Sequence, residues 1–178
     1  MSECITTDIK AIIGLGNPGA AYEHTRHSVG FMVLDALANQ YGIGSWREHE
    51  TYASCDAQLD NKKVLLIKPL TYMNNSGRVV PMLAKKGIKA ENILVVHDEL
   101  ELPFGQVKTK IGGSARGHNG LRSLIEHMGE QFMRVRIGIG RPTNKEDVAS
   151  YVLSSFAESP DQIEQLIDQA VNTIIKII

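Results

Sequence analysis

The sequence predicts one α/β domain over residues 1–178, with three α/β/α layers around a twisted, mixed sheet. Three observations predict it. Short apolar runs bounded by glycine or turn residues, at Ile9 to Leu15, Val64 to Ile67 and Ile93 to Val96, read as buried strands. Segments with apolar residues at helical spacing alternate with those runs. The pair Asp60-Asn61 joins two strand-like stretches as a hairpin, so the sheet is mixed rather than purely parallel.

In chain order, Ile9 to Leu15 is a central strand, and Gly16-Asn17-Pro18-Gly19 turns the chain. Val29, Met32, Val33, Ala36 and Leu37 then mark a helix from about Arg26 to Tyr41, with Gly42 as its C′ stop and His27 near its start. Thr51 to Leu59 alternates in part, and with Val64 to Ile67 forms the hairpin and a buried strand. After Pro69 the motif TYMNNSG is a loop, and a second helix runs from about Gly77 to Lys86, closed by Gly87, with Pro81 leaving its first turn unsettled. Ile93 to Val96 delivers His97 and Asp98 at its C-terminal end. Gln106 to Lys110 is a short returning strand, the glycine-rich IGGSARGHNG opens a helix from about His118 to Met128, and Val135 to Ile139 is the last clear strand. The polar stretch from Thr143 to Ser150 reads as a mobile lid or a short helix. Ser159-Pro160-Asp161-Gln162 is a capping box with proline at N1, and Ile163, Leu166, Ile167, Ala170, Val171 and Ile174 continue it as a long amphipathic helix. The chain stops in Ile177-Ile178 within that helix, which leaves packing of the end and truncation both open.

At 178 residues the chain can bury a sizeable core. It has no apolar run near the ~18 residues that would indicate a membrane span. The opening MSECITTDIK has neither the basic nor the apolar region of a secretory signal, so a cytoplasmic protein is expected. Cys4 and Cys55 are isolated, without zinc spacing or a disulfide framework. Net charge is −1, but its distribution is uneven: residues 105–145 carry +6 and residues 146–178 carry −5. Such asymmetry fits a polyanion-binding face, although charge alone does not separate that from an unevenly charged solvated surface.

Gly14-Leu15-Gly16-Asn17-Pro18-Gly19 satisfies the glycine half of a dinucleotide fingerprint. The other half fails, because Pro18 and the loop to Thr25 delay the helix and no acidic residue follows at the ribose-binding distance. Hydrolysis by an activated water suits the remaining residues better. No Gly-x-Ser-x-Gly elbow is present, and a neutral imidazole is basic at cellular pH. Among six histidines, His27 is placed as a base at a helix start, while His24 and His27 with His97 or Asp98 lack the usual helical metal motif. A carboxylate would orient the base, and the residues alone do not choose between Asp98 and Glu99. His118 reads equally well as a structural hydrogen-bonding residue at its helix start. Asn17, Asn74, Asn75 and Asn119 offer amides for a peptide backbone or an oxyanion, against the ordinary use of asparagine in turns and caps.

With these residues laid out, the sequence resembles the bacterial peptidyl-tRNA hydrolases, the monomeric, metal-independent type. The likeness runs through GLGNPG, TRHSVGFMVLD, KPLTYMNNSG, HDELELPFG, SARGHNGLRS and RIGIGRP, in that order, over nearly the whole chain. The resemblance implies hydrolysis of the ester between peptide and the tRNA 3′ ribose, with peptidyl-tRNA as the partner and no cofactor. It implies that His27 activates water, Asp98 orients His27, and Asn17 hydrogen-bonds near both base and substrate. Asn74 and Asn119 would hold the peptide backbone and help position water or stabilise the oxyanion, with Tyr22 and Met73 lining the cleft. Lys110, Arg136 and Lys145 match tRNA-contacting positions of the family; Lys108, Arg116 and Arg141 join them on charge. Two departures stand out: Arg116 where glycine is frequent, and Tyr72 where phenylalanine is common. A non-catalytic RNA-binding protein on the same scaffold is the alternative of another class.

Overall fold

The computed structural model describes residues 8–144 and 147–178, so Cys4 and Lys145 lie outside the described residues. Strand β1 (Ala11–Gly14) lies in the middle of a seven-stranded sheet, between β4 (Lys62–Pro69) and β5 (Ile93–Glu99), and is parallel to both. β7 (Met133–Gly138) runs parallel to β5 and carries β6 (Val107–Ile111) antiparallel at one edge. On the other side β3 (Tyr52–Leu59) is antiparallel to β4, and β2 (Gly42–Glu48) closes the edge. The order is therefore β2-β3-β4-β1-β5-β7-β6. Asp60 and Asn61, at φ 45° and 66°, form the tight left-handed turn between β3 and β4. β2 has no counterpart in the sequence reading. Its residues are mostly exposed and do not alternate apolar with polar, since an edge strand with one neighbour does not need the alternation that marks a half-buried one.

The sheet's two faces are covered by different helices. α1 (Val29–Tyr41) and α5 (Pro160–Ile177) lie on one face with Ile12, Leu66 and Val96; α2 (Val80–Lys85) and α3 (Asn119–Met128) lie on the other with Ile13, Ile67 and Val95. Consecutive residues of one strand thus enter opposite cores, each fully buried aliphatic side chain contributing about 1.5–3 kcal/mol. The α5 start is the expected capping box: Ser159 Oγ accepts from the Gln162 amide at 3.2 Å, and Gln162 Oε1 accepts from the Ser159 amide at 3.0 Å. Two helix ends differ from expectation. Gly42 ends α1 in an extended conformation (φ −66°, ψ 144°) and becomes the first residue of β2 instead of a left-handed cap. The second helix is preceded by a 3₁₀ stretch, Met73–Val79, so α2 proper begins at Val80, with Pro81 in its first turn where no amide is needed. A short helix, α4 (Val148–Val152), occupies the C-terminal part of the segment read as a lid or short helix.

The glycines of the first motif serve packing. A Cβ on Gly30 would lie 2.5 Å from the Leu15 amide nitrogen and the Val96 oxygen, and one on Gly14 would lie 2.5 Å from the Gly30 oxygen. The first turn of α1 therefore sits directly on the ends of β1 and β5, which carries the preceding residue triplet to the C-terminal edge of the sheet. After α1 the chain enters the antiparallel edge strand β2 instead of a parallel neighbour of β1, so no dinucleotide-binding βαβ unit follows the glycines. Among the described residues no helix is long and apolar enough to cross a membrane.

Candidate active site

β1, β4 and β5 end side by side, and each is followed by one of the polar motifs. Because the chain leaves β1 with neighbours on both sides, this is the crevice where ligands bind in open α/β sheets. β5 runs on to Glu99, three residues beyond Val96, so Asp98 is a strand residue and buried. His27 lies in the 3₁₀ turn Arg26–Ser28 that leads into α1, also buried. Its Nδ1 is 2.9 Å from Asp98 Oδ2 and 3.1 Å from Oδ1. A ring nitrogen that close to a carboxylate carries the proton, so the lone pair of His27 is on Nε2. Burial pulls the His27 pKa down, but the charge of Asp98 and its hydrogen bond together outweigh burial and raise it above the ordinary imidazole value.

Asp98 serves two imidazoles. His118 Nε2 lies 2.8 Å from Asp98 Oδ1, while His118 Nδ1 accepts from the amides of Gly120 and Leu121 at 3.2 and 3.3 Å. The two amides require an unprotonated Nδ1, so Nε2–H donates to Asp98 and the tautomer of His118 is fixed. His118 is thus the N-cap of α3, the structural role the sequence left open for it. Burial would raise the Asp98 pKa, but the charges and hydrogen bonds of His27 and His118 hold the carboxyl well below its usual range. His97 donates from Nδ1 to the Asp98 carbonyl at 2.8 Å, and burial, then His118, push its pKa down to about 3. It is a neutral, packed residue and no partner for His27. Glu99 turns away from His27 to Arg136, so of the two carboxylates Asp98 is the one in contact with His27.

The other motifs are laced to this centre. Asn17 Oδ1 accepts from the Met73 amide at 2.8 Å, and the Asn17 amide donates to Ser28 Oγ at 3.1 Å. The glycine turn, the His27 turn and the Met73 loop are thereby fixed together, and Asn17 Nδ2 keeps no partner among the described residues. Tyr72, at φ 60° and ψ 160°, holds a conformation that favours glycine; its ring meets that of Tyr22 edge-on at 6.3 Å. Met73 is buried, whereas Asn74 is exposed on the 3₁₀ stretch and Asn119 is exposed as the first residue of α3. From His27 and Asp98 a cavity of about 470 Å³ extends past Asn119 to Lys110, Arg116, Arg136 and Arg141. Asn17, Tyr22, Met73 and Asn74 are not part of its lining, whereas Asn119, the other residue expected to hold peptide, shares it with the basic residues.

The family model described as peptidyl-tRNA hydrolase matches residues 11–178. The chain belongs to the peptidyl-tRNA hydrolase family. A peptidyl-tRNA hydrolase of Rhodospirillum centenum is 46% identical over 165 residues, covering 92% of this chain and 73% of the relative. That of Aquifex aeolicus is 45% identical over 174 residues, covering 96% and 91%. A crystal structure of peptidyl-tRNA hydrolase from Acinetobacter baumannii superposes with a TM-score of 0.85 at 38% identity, covering 98% of this chain and 88% of that one. A purine nucleoside phosphorylase from Toxoplasma gondii reaches a TM-score of 0.60 at 10% identity, a likeness of fold alone.

The basic segment of this peptidyl-tRNA hydrolase family member is less cationic in three dimensions than in sequence. Register places Lys108, Arg136 and His97 in one row across β6, β7 and β5, with Lys110, Arg134 and Val95 in the next. Arg134 is buried and donates to the Ser114 carbonyl at 2.8 Å and to the Gly113 carbonyl, so it anchors the glycine-rich loop. Arg136 pairs with Glu99, and Arg141 pairs with Glu101. Lys108, Lys110 and Arg116 have no carboxylate partner among the described residues. Sequence reasoning also missed Arg26 and Tyr151. Arg26 donates to the Tyr151 carbonyl at 3.0 Å with its guanidinium 3.9 Å over the Tyr151 ring, and Tyr151 in turn donates to the Ile139 carbonyl at 2.6 Å. Together with the Thr25–Ser155 bridge, these contacts fasten α4, whose Val148 and Val152 line the cavity, to the residues just before His27. No pattern in the sequence links positions 125 residues apart.

Proposed function

We propose that the chain is a peptidyl-tRNA hydrolase in the mechanistic sense: it cleaves the ester between a peptide and the 3′ ribose of tRNA, with water as nucleophile and His27 as general base. The observation that carries this reading is the His27–Asp98 pair, because it orients the ring and leaves the His27 Nε2 lone pair without a hydrogen-bond partner among the described residues, beside the cavity. Water loses its proton to Nε2 as its oxygen attacks the ester carbonyl, and a tetrahedral oxyanion forms. Asn17 Nδ2, Asn74 and Asn119 are the donors suited to that oxygen and to the peptide backbone, beside apolar contact from Met73 and Tyr22. Collapse breaks the bond to the ribose oxygen, which takes the proton back from His27; peptide and tRNA leave. Asp98 remains ionised and stabilises the imidazolium in between.

Phosphate contact belongs to Lys108, Lys110, Arg116, Arg136, Arg141 and Lys145 in this reading, and backbone-directed hydrogen bonding explains indifference to peptide sequence. The enzyme acts as a cytoplasmic monomer without a metal, and the segment around residues 143–150, of which 145 and 146 lie outside the described residues, acts as a lid. His27, Asp98 and His118 bring potential ligand atoms within 4.8 Å of one another, but those atoms already satisfy each other and the α3 amides by hydrogen bonds. The test is release of peptide from N-blocked aminoacyl-tRNA in the presence of a chelator, by wild type and by His27→Ala. Cleavage by the wild type alone, with tRNA binding kept in the variant and a loss of at least about 10²-fold in turnover, is expected. Equal activity of both would remove the base assignment, and loss of activity to the chelator would remove the metal-free one. Binding of tRNA without cleavage by either would instead favour a non-catalytic RNA-binding protein.

A further inference from the structure

Asp98 and Glu99 are consecutive residues at the end of β5, and a strand points consecutive side chains to opposite faces. Asp98 holds the base. Glu99 holds Arg136 on the neighbouring strand, and the way it does so is informative. Arg136 Nε and Nη2 both lie 2.9 Å from the same oxygen, Glu99 Oε1. The contact thus uses the inner edge of the guanidinium and one carboxylate oxygen, while Nη1 has no partner among the described residues. Both side chains are largely sequestered, at 18% and 15% exposure, yet both line the cavity.

A carboxylate that took the guanidinium end-on, through both Nη atoms, would occupy the edge that a phosphate could grip. Here that end is left open. A long arginine side chain otherwise loses much rotamer freedom when it binds, and an inner-edge partner removes that loss in advance. We propose that Glu99 is a positioning residue for phosphate recognition, holding Arg136 by its inner edge so that the outer edge meets a tRNA backbone phosphate in the cavity. The inference rests on the tRNA-binding reading of this cavity given above. It adds a mechanical consequence: one dipeptide, Asp98-Glu99, sets both the base and the phosphate contact, so the strand end fixes the distance between the gripped backbone and the ester to be cut.

The experiment measures binding of deacylated tRNA across a salt series for wild type, Glu99→Gln, Glu99→Asp, Arg136→Ala and the double variant Glu99→Gln/Arg136→Ala, with steady-state hydrolysis alongside. Glu99→Gln is expected to weaken tRNA binding roughly tenfold, the scale of an arginine side chain set free. KM should rise with little change in kcat, because His27 and Asp98 are untouched. Glu99→Asp, which keeps the charge but withdraws the carboxylate, should show much of the same loss. The double variant should bind no more weakly than Arg136→Ala alone. Tighter binding by Glu99→Gln, or losses that multiply in the double variant, would overturn the positioning role and make Glu99 a competitor or a bystander. An unchanged salt slope in Arg136→Ala would overturn it at the root. Coupling between the two residues in tRNA binding, in a wild-type protein that hydrolyses nothing, would uphold the proposal while removing the esterase reading.

Discussion

At His27 the decisive quantity is a proton affinity. In the proposed mechanism the imidazole must be neutral to accept a proton from water, yet Asp98 raises its pKa above the ordinary value. kcat/KM should therefore rise with pH through an acid limb centred above about 6.5, the unperturbed imidazole value. In Asp98→Asn the charge that raises the pKa is gone while burial, which lowers it, remains. The limb should move to lower pH and the plateau should fall by roughly 10²–10⁴-fold, the usual worth of a positioned base. A limb that stays in place would mean that another group titrates. The stability sign follows from the same pair. The His27 contribution is present at pH below the unfolded imidazole value and is lost as pH rises through its raised folded value. The Asp98 contribution is present above the unfolded carboxyl value and is lost as pH falls toward its depressed one. The sequence offered both Asp98 and Glu99 as orienting carboxylates because residue type and position are nearly the same. Only strand register, which sends one to His27 and the next to Arg136, separates them.

At the level of elements, two local devices bring the site together. His118 caps α3 and donates to Asp98 at once. His118→Ala should cost about 0.5–2 kcal/mol in urea unfolding with an unchanged m-value, the worth of a helix cap. His118→Asn should recover that stability as a capping residue without recovering the second donor to Asp98, so its pH profile should stay displaced from that of the wild type. An identical profile would make His118 purely structural. The second device is the glycine contact beneath α1. Gly30→Ala places a methyl against backbone atoms of β1 and β5 that cannot move aside, so a loss of about 1–3 kcal/mol or more is expected by thermal or urea unfolding. A neutral substitution would show that the helix can lift off the sheet without consequence. The α5 capping box was legible to the residue, because such a cap involves only local atoms. β2 was not, because an exposed edge strand is defined by its neighbour more than by its own pattern.

For the molecule as a whole, the relevant measure is how many cations remain free. The segment 105–145 holds eight lysines and arginines, and if all gripped phosphates the slope of log binding constant against log salt would be about −6. Arg134 is buried on backbone carbonyls and Arg122 lies on α3 away from the cavity lining, which leaves the six cations assigned to phosphate above. A slope of about −4 is expected for tRNA binding, and a value near −6 would show that Arg122 and Arg134 reach phosphates as well. The sequence by itself determined the fold class, the central buried strands, the capping signals and the motif set that marks the family, because each is carried by local periodicity or by residues close in the chain. Tertiary structure alone decided which carboxylate meets His27, that His118 shares Asp98 with it, that Arg26 and Tyr151 fasten α4 beside the site, and how many positive charges are cancelled. Those are contacts between segments 20 to 125 residues apart, set by strand register and helix placement, and no local pattern encodes them.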